Sequence, residues 1–310
     1  ELSLGDMVGR LGLESYLDKR LRGQKGLYRL EVDVLGRPLS RALIESSHMG
    51  QNVTLSIDTR LQRAVMDAMG DYSGSVVVME PDSGKLLALV TRPAYDNNIF
   101  IGGLSARDWN ALRDDPRFPL QNRAIQSAYP PGSVWKLMMA GMLLENGISP
   151  EEKVFCPGWY KLGNHTFRCW RAGGHGHVDM KDSLVWSCDV YYYSMAVKLG
   201  INTMEPFARA CGYGRETGID LPYETSGLVP SRAWKKRRFG EAWQQGDTVN
   251  ASIGQGHVLV TPLQTAVFLS SLVDDPASVN AFVLYGVMSL CVGMVFLFVT
   301  SRPNFKAEEE

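Results

Sequence analysis

The chain carries almost no net charge. Acidic and basic residues number 33 and 32, for a formal charge of −1, so nothing in its bulk electrostatics would draw it to nucleic acid. It has no glycine-rich phosphate loop of the Walker or dinucleotide-binding kind. Nor does it show an internal repeat, which excludes solenoid and propeller architectures. It opens on Glu1 with neither a methionine nor an apolar leader, so the natural start is missing or a leader has been removed. Histidine and cysteine are scarce, five of each. With hydrophobic residues at 45% and charged residues at 21%, the composition is that of a folded globular chain.

Charge is also absent from Val279 to Thr300. That run is long enough to cross a bilayer as a helix; a buried core helix is the alternative. Asp274 and Asp275 precede it, and Arg302 and Lys306 follow. This asymmetry favours the bulk of the chain lying outside the cytoplasm.

Local patterns predict the elements. "LYRLEVDVLGRPL" reads as a strand and turn. Asn52–Ile57 alternates as a strand. Asp58 can cap a helix whose apolar face is Leu61, Ala64, Val65, Ala68 and Met69, closed by Gly70. The runs Val76–Met79 and Leu86–Val90 flank "EPDSGK" as a hairpin. Ile148–Lys181 reads as a long loop, and such loops are uncommon unless functional or pinned. "DSLVWSCDVYYYSMAVKLG" reads as one helical segment, with a second beginning near Met204.

The chemistry centres on "AYPPGSVWKLMMA", Ala128–Ala140. Ser133 opens a helix predicted to run to about Glu145, and Lys136 lies three residues on, on the same face. A serine hydroxyl needs a neighbouring base before it attacks. A desolvated lysine can serve as one, and a helix N-terminus favours developing negative charge. Alone, the pair better describes a capping serine with a lysine one turn later. The second element, Ser187-Cys188-Asp189, separates the readings, because a hydroxyl with a polar side chain two residues on suits a proton relay and a substrate-amide contact.

These pieces resemble the class B penicillin-binding proteins, the monofunctional peptidoglycan D,D-transpeptidases. The resemblance spans about Gly9 to Ala266. "GRLGLESYLDKRLRG" resembles the segment joining pedestal to catalytic domain, and "SGSVVVMEPDSGKLLALVTRPAYDNNIF" the first strands. "YPPGSVWK" resembles the nucleophile motif, while "TGIDLP" (Thr217–Pro222) and "SIGQGHVLVTPLQTA" (Ser252–Ala266) resemble further family segments. "SCDVYYY", with aspartate where asparagine is more widespread, is most similar to the cell-elongation group, penicillin-binding protein 2.

The resemblance implies an α/β transpeptidase domain, a mixed sheet with helices on its faces. It implies a pedestal remnant at 1–50 and a C-terminally incomplete catalytic domain at 51–275, which the uncharged run read as a membrane span at 279–300 and a tail at 301–310 would follow. Ser133 would attack the D-Ala-D-Ala bond of a stem peptide and be acylated by β-lactams. Lys136 would be the base, Ser187 the relay and Asp189 the residue orienting substrate. The implied partners are peptidoglycan stem peptides, β-lactams and cell-elongation membrane proteins, at the periplasmic face of the inner membrane.

The family's third motif, Lys-Thr-Gly or Lys-Ser-Gly, does not occur in the 310 residues. It binds the substrate carboxylate and gives the second oxyanion donor. Its loss predicts impaired acyl transfer, and an opened sheet edge. A non-catalytic scaffold of the elongation machinery, and a serine β-lactamase or β-lactam sensor, are the rival readings.

Cys156, Cys169, His175 and Cys188 follow C-x12-C-x5-H-x12-C. Three thiolates and an imidazole make a closed zinc set, although a disulfide between two of the cysteines, or simple packing of Cys188 and solvation of His175, fits the spacing equally. The resemblance favours zinc. Some members of the cell-elongation group hold a structural zinc with residues in "DPGWW", "RDW", "GHG" and "SCD" contexts, and here those contexts read "CPGWY", "RCW", "GHG" and "SCD".

Overall fold

A computed structural model describes residues 8–101, 103–274 and 298–301. The chain divides into two compact units, Glu1–Ser56 with Gly218–Glu224, and Ile57–Thr217 with Thr225–Glu310.

The first unit holds two one-turn helices, α1 (Gly12–Tyr16) and α2 (Asp18–Arg22), and a hairpin of β1 (Leu27–Val32) and β2 (Pro38–Glu45). Asp33 ties the hairpin's turn by accepting from the backbone N–H groups of Leu35 and Arg37. Those bonds, the Arg37 N–H first, hold its carboxyl below the usual range.

The second unit begins as its sequence predicts. Asp58 caps α3 (Thr59–Met69) by accepting from the N–H groups of Arg60 and Leu61, and Val65 and Met69 are buried. Residues 52–57, expected as a strand, are not one. Alternation alone does not make a ladder; a neighbouring strand must supply it. β3 (Ser73–Met79) and β4 (Leu86–Arg92) form the expected hairpin.

Every strand pair among the described residues is antiparallel, so the expected mixed sheet is antiparallel here. Short connections return the chain beside itself, whereas a parallel partner needs a long crossover. The predicted membrane run lies outside the described residues as far as Leu297. Its last three residues begin β9 (Phe298–Ser301), which pairs with β3 at Ser73–Ser75 and covers that part of the edge expected to open. Among the described residues no helix is long and apolar enough to cross a membrane.

After α4 (Ala106–Arg113) and the single-turn α5 (Arg123–Gln126) comes the central helix α6 (Trp135–Glu145). It is apolar nearly all round, and eight of its residues are buried, as befits a helix enclosed on every side. α8 (Asp189–Leu199), α9 (Ile201–Ala210) and α11 (Gln245–Ser252) pack on it. α10 (Arg232–Phe239) precedes α11, and α12 (Pro262–Asp274) lies against β3. α12 starts on a capping box with proline at the first helical position: Thr261 Oγ1 accepts from Gln264 N, and Gln264 Oε1 from Thr261 N.

The expected long loop contains two small ribbons. β5 (Val154–Cys156) pairs with β8 (Gly176–Val178), and β6 (Trp159–Leu162) pairs with β7 (His165–Arg168). These strands are three or four residues long, too short to show a period. The expected single helix after them is two, α7 (Met180–Val185) and α8, broken at Ser187.

Candidate active site and metal centre

Ser133 sits in a turn of 3₁₀-helix, Gly132–Val134, that leads into α6. The turn is anchored on both sides. Tyr129 and Val260 exchange backbone hydrogen bonds of 2.9 Å, and Gly132 N donates to Gly254 O at 3.1 Å. The approach at Gly254 is close: its φ is +67°, and a Cβ there would lie 2.6 Å from Gly132 O. Only glycine fits such a place without strain. Nothing in the sequence pattern singled out Gly254 beyond its place in "SIGQG".

One turn on, Lys136 is 1% exposed. A buried ammonium must be paired, and this one is. Its Nζ donates to Asp189 Oδ1 at 2.6 Å, to Ser187 O at 2.9 Å and to Ser187 Oγ at 3.0 Å. Ser187 Oγ lies 2.7 Å from Ser133 Oγ. The four residues singled out from sequence are therefore together, and a continuous hydrogen-bonded path runs from Ser133 through Ser187 to Lys136. Ser187 holds a positive φ of 50°, a conformation that costs a non-glycine residue roughly 1–3 kcal/mol and gathers at functional sites.

Asp189, expected to orient substrate, is held here by two protein partners. It opens α8, where the helix dipole favours a carboxylate. One oxygen faces Lys136; the other accepts from Trp170 N at 3.1 Å. Its partners here are protein groups, so it holds the lysine and the cysteine-bearing loop in place.

Behind this turn lie the cysteines. The ligand atoms of Cys156, Cys169, His175 and Cys188 all fall within 4.8 Å of one another. The three cysteines are buried, and none is in a disulfide. His175 Nδ1 is 3.6 Å from both Cys156 Sγ and Cys169 Sγ. Tetrahedral zinc with ordinary Zn–S and Zn–N bonds separates sulfur from nitrogen by about 3.6 Å, so the donors present fit that ion. The imidazole stacks on Trp186 at 6.1 Å and tilts against Trp170 at 5.4 Å. A hydrogen bond from the Cys188 thiol holds the Cys169 thiol down to about 4, and the same contact with burial pushes Cys188 up. One sulfur of the pair thus favours the thiolate that a metal needs.

The family model of the penicillin binding protein transpeptidase domain matches residues 74–287, and that of the penicillin-binding protein dimerisation domain matches residues 1–55. The chain is similar to the peptidoglycan D,D-transpeptidase MrdA of Escherichia coli K12, 38% identical over 271 residues, covering 86% of this chain and 43% of that relative. It thus spans less than half the length of that relative. Penicillin-binding protein PBP2 of Helicobacter pylori, solved in a complex with MreC, superimposes with a TM-score of 0.81 at 33% identity, covering 91% of this chain and 56% of that one. The penicillin G acyl-enzyme complex of penicillin-binding protein A from Mycobacterium tuberculosis gives 0.66 at 27% identity, covering 74% and 53%.

Proposed function

The chain belongs to the penicillin-binding protein transpeptidase family, and we propose that it performs acyl transfer at Ser133 on peptidoglycan stem peptides ending in D-Ala-D-Ala. The observation that carries this reading is the path Ser133 Oγ–Ser187 Oγ–Lys136 Nζ, with links of 2.7 and 3.0 Å. Lys136 serves as the base once it has released the proton it directs at Ser187 Oγ, so that its lone pair faces that oxygen while Asp189 Oδ1 and Ser187 O keep the other two N–H groups. Ser133 Oγ bonds to the carbonyl carbon, and its proton passes through Ser187 to Lys136. The proton returns to the departing nitrogen as the C–N bond breaks and D-alanine leaves. The amine of a neighbouring stem then attacks the ester, forming the cross-link and restoring the Ser133 hydroxyl. Asp189 positions Lys136 throughout.

β-Lactams present a comparable acyl group, and the Mycobacterium relative forms a penicillin G acyl-enzyme. Cys156, Cys169, His175 and Cys188 would hold zinc as a closed, structural set. Its chemistry is cross-linking, fixing Cys188 and with it the flanking Ser187 and Asp189. The Helicobacter relative was solved with MreC, which supports membrane proteins of cell elongation as partners and the outer face of the inner membrane as the place of work.

The 310 residues contain no Lys-Thr-Gly, and loss of one oxyanion donor slows such chemistry by about 10²–10³-fold. A polypeptide of these residues is expected to acylate that much more slowly than a relative carrying the motif. Labelling with a fluorescent penicillin, with Ser133→Ala as control, tests the proposal: slow labelling that the substitution removes supports it. Absence of any label favours a non-catalytic scaffold, and labelling at the relative's rate refutes the impairment.

A further inference from the structure

α10 places five cations in eight residues, "RAWKKRRF". Two have partners that account for them. Lys235 is buried and donates to Asp247 Oδ2 at 2.7 Å, and Arg232 Nε donates to Asn202 Oδ1 at 3.0 Å. The other three, Lys236, Arg237 and Arg238, are exposed, and none pairs with a carboxylate among the described residues. Lys236 Nζ donates to Gly240 O, at the end of the helix. Cations in a last helical turn suit the dipole, which accounts for one such residue better than for three in a chain with a formal charge of −1.

The place of this helix gives the patch its meaning. Trp234 and Phe239, from either end of α10, pack on His257 at 5.0 and 5.2 Å. The segment leading to His257 braces the nucleophile turn: Gly254 O accepts from Gly132 N, and the Gln255 side chain faces Gly132. α10 is thus joined to the nucleophile turn through the short segment Gly254–His257.

We propose that Lys236, Arg237 and Arg238 bind carboxylates of peptidoglycan stem peptides, giving the polymer a second hold beside Ser133. The proposal rests on the acyl-transfer reading above. The complementarity is of charge: stem peptides carry free carboxylates, repeated along a glycan strand. Three exposed cations that are individually weak become effective against a repeating polyanion, because each further contact is made at high local concentration.

The test is co-sedimentation of the 310-residue chain with purified peptidoglycan sacculi, at low and high salt. The wild type is compared with a triple variant, Lys236→Gln, Arg237→Gln and Arg238→Gln, and with the charge-keeping pair Arg237→Lys, Arg238→Lys. Thermal melting and penicillin labelling at Ser133 are read on each. The expected result is a loss of bound protein of roughly fivefold in the triple variant, retention in the lysine pair, and weaker wild-type binding as salt rises, with melting and labelling unchanged. Equal binding by wild type and triple variant overturns the proposal. So does preferential binding of the wild type to phosphatidylglycerol vesicles over sacculi, which would make α10 a membrane surface. Sacculus binding that depends on the three cations in a chain that never labels at Ser133 would sink the acyl-transfer reading and leave the surface standing.

Discussion

Two groups of side chains meet at the turn Ser187–Asp189, and they are held in opposite ways. Ser133, Lys136, Ser187 and Asp189 are closed by their own hydrogen bonds, with Lys136 Nζ giving all three of its protons to Ser187 and Asp189. Cys156, Cys169, His175 and Cys188 are gathered by short strands and by the start of α8. They bury three sulfurs at 3.6 Å or more from one imidazole nitrogen, while His175 Nε2 is buried without a partner. The first set is complete as protein atoms; the second is the set proposed to hold zinc. Alternate residues of one turn divide the work: Ser187 and Asp189 face the nucleophile, and Cys188 between them faces the thiols.

Breaking the polar set should have the largest effect. Lys136→Met keeps much of the volume but leaves the Asp189 carboxylate facing no cation. Stability should fall by about 3–5 kcal/mol, and penicillin labelling should disappear; denaturant unfolding and gel fluorescence read the two. Labelling at the wild-type rate would remove Lys136 from the proton path.

Breaking the thiol set should be milder for the chemistry. Elemental analysis of the reduced protein is expected to find about one zinc per chain, and Cys188→Ser or a strong chelator should remove it. The melting temperature then drops and labelling slows without vanishing, because the polar set keeps its own hydrogen bonds. Zinc-free protein with intact thiols would refute the metal assignment.

The smallest effect sharpens the comparison. Gly254→Ala adds a Cβ 2.6 Å from Gly132 O at a φ of +67°. It should cost about 1–3 kcal/mol and slow labelling while leaving metal content unchanged. Loss of zinc in this variant would mean that the two sets are not separately supported.

These sites were legible in unequal degree. The pairing of Ser133 with Lys136 follows from helical spacing, and α3 and the β3–β4 hairpin follow from caps and turn residues, all local signals. The break at Ser187 was not legible. Serine gives no mark of a left-handed conformation, and the apolar pattern runs on through Val185 and Trp186 into α8. The four strands within 154–178 were hidden by their shortness. The cysteine spacing suggested a ligand set without deciding between metal and disulfide; the gathering of all four donor atoms within 4.8 Å, which supports the metal proposal, was not visible in the spacing. The contact of Asp189 with Trp170 N was out of reach because that backbone group is brought there by the β6–β7 ribbon.

The most direct measurement is intact-mass and peptide-mapping mass spectrometry after incubation with a penicillin. The expected result is one covalent adduct on the peptide containing Ser133, formed slowly and absent from Ser133→Ala. An adduct that maps to another residue, or that persists in Ser133→Ala, would contradict the assignment of Ser133 as the nucleophile.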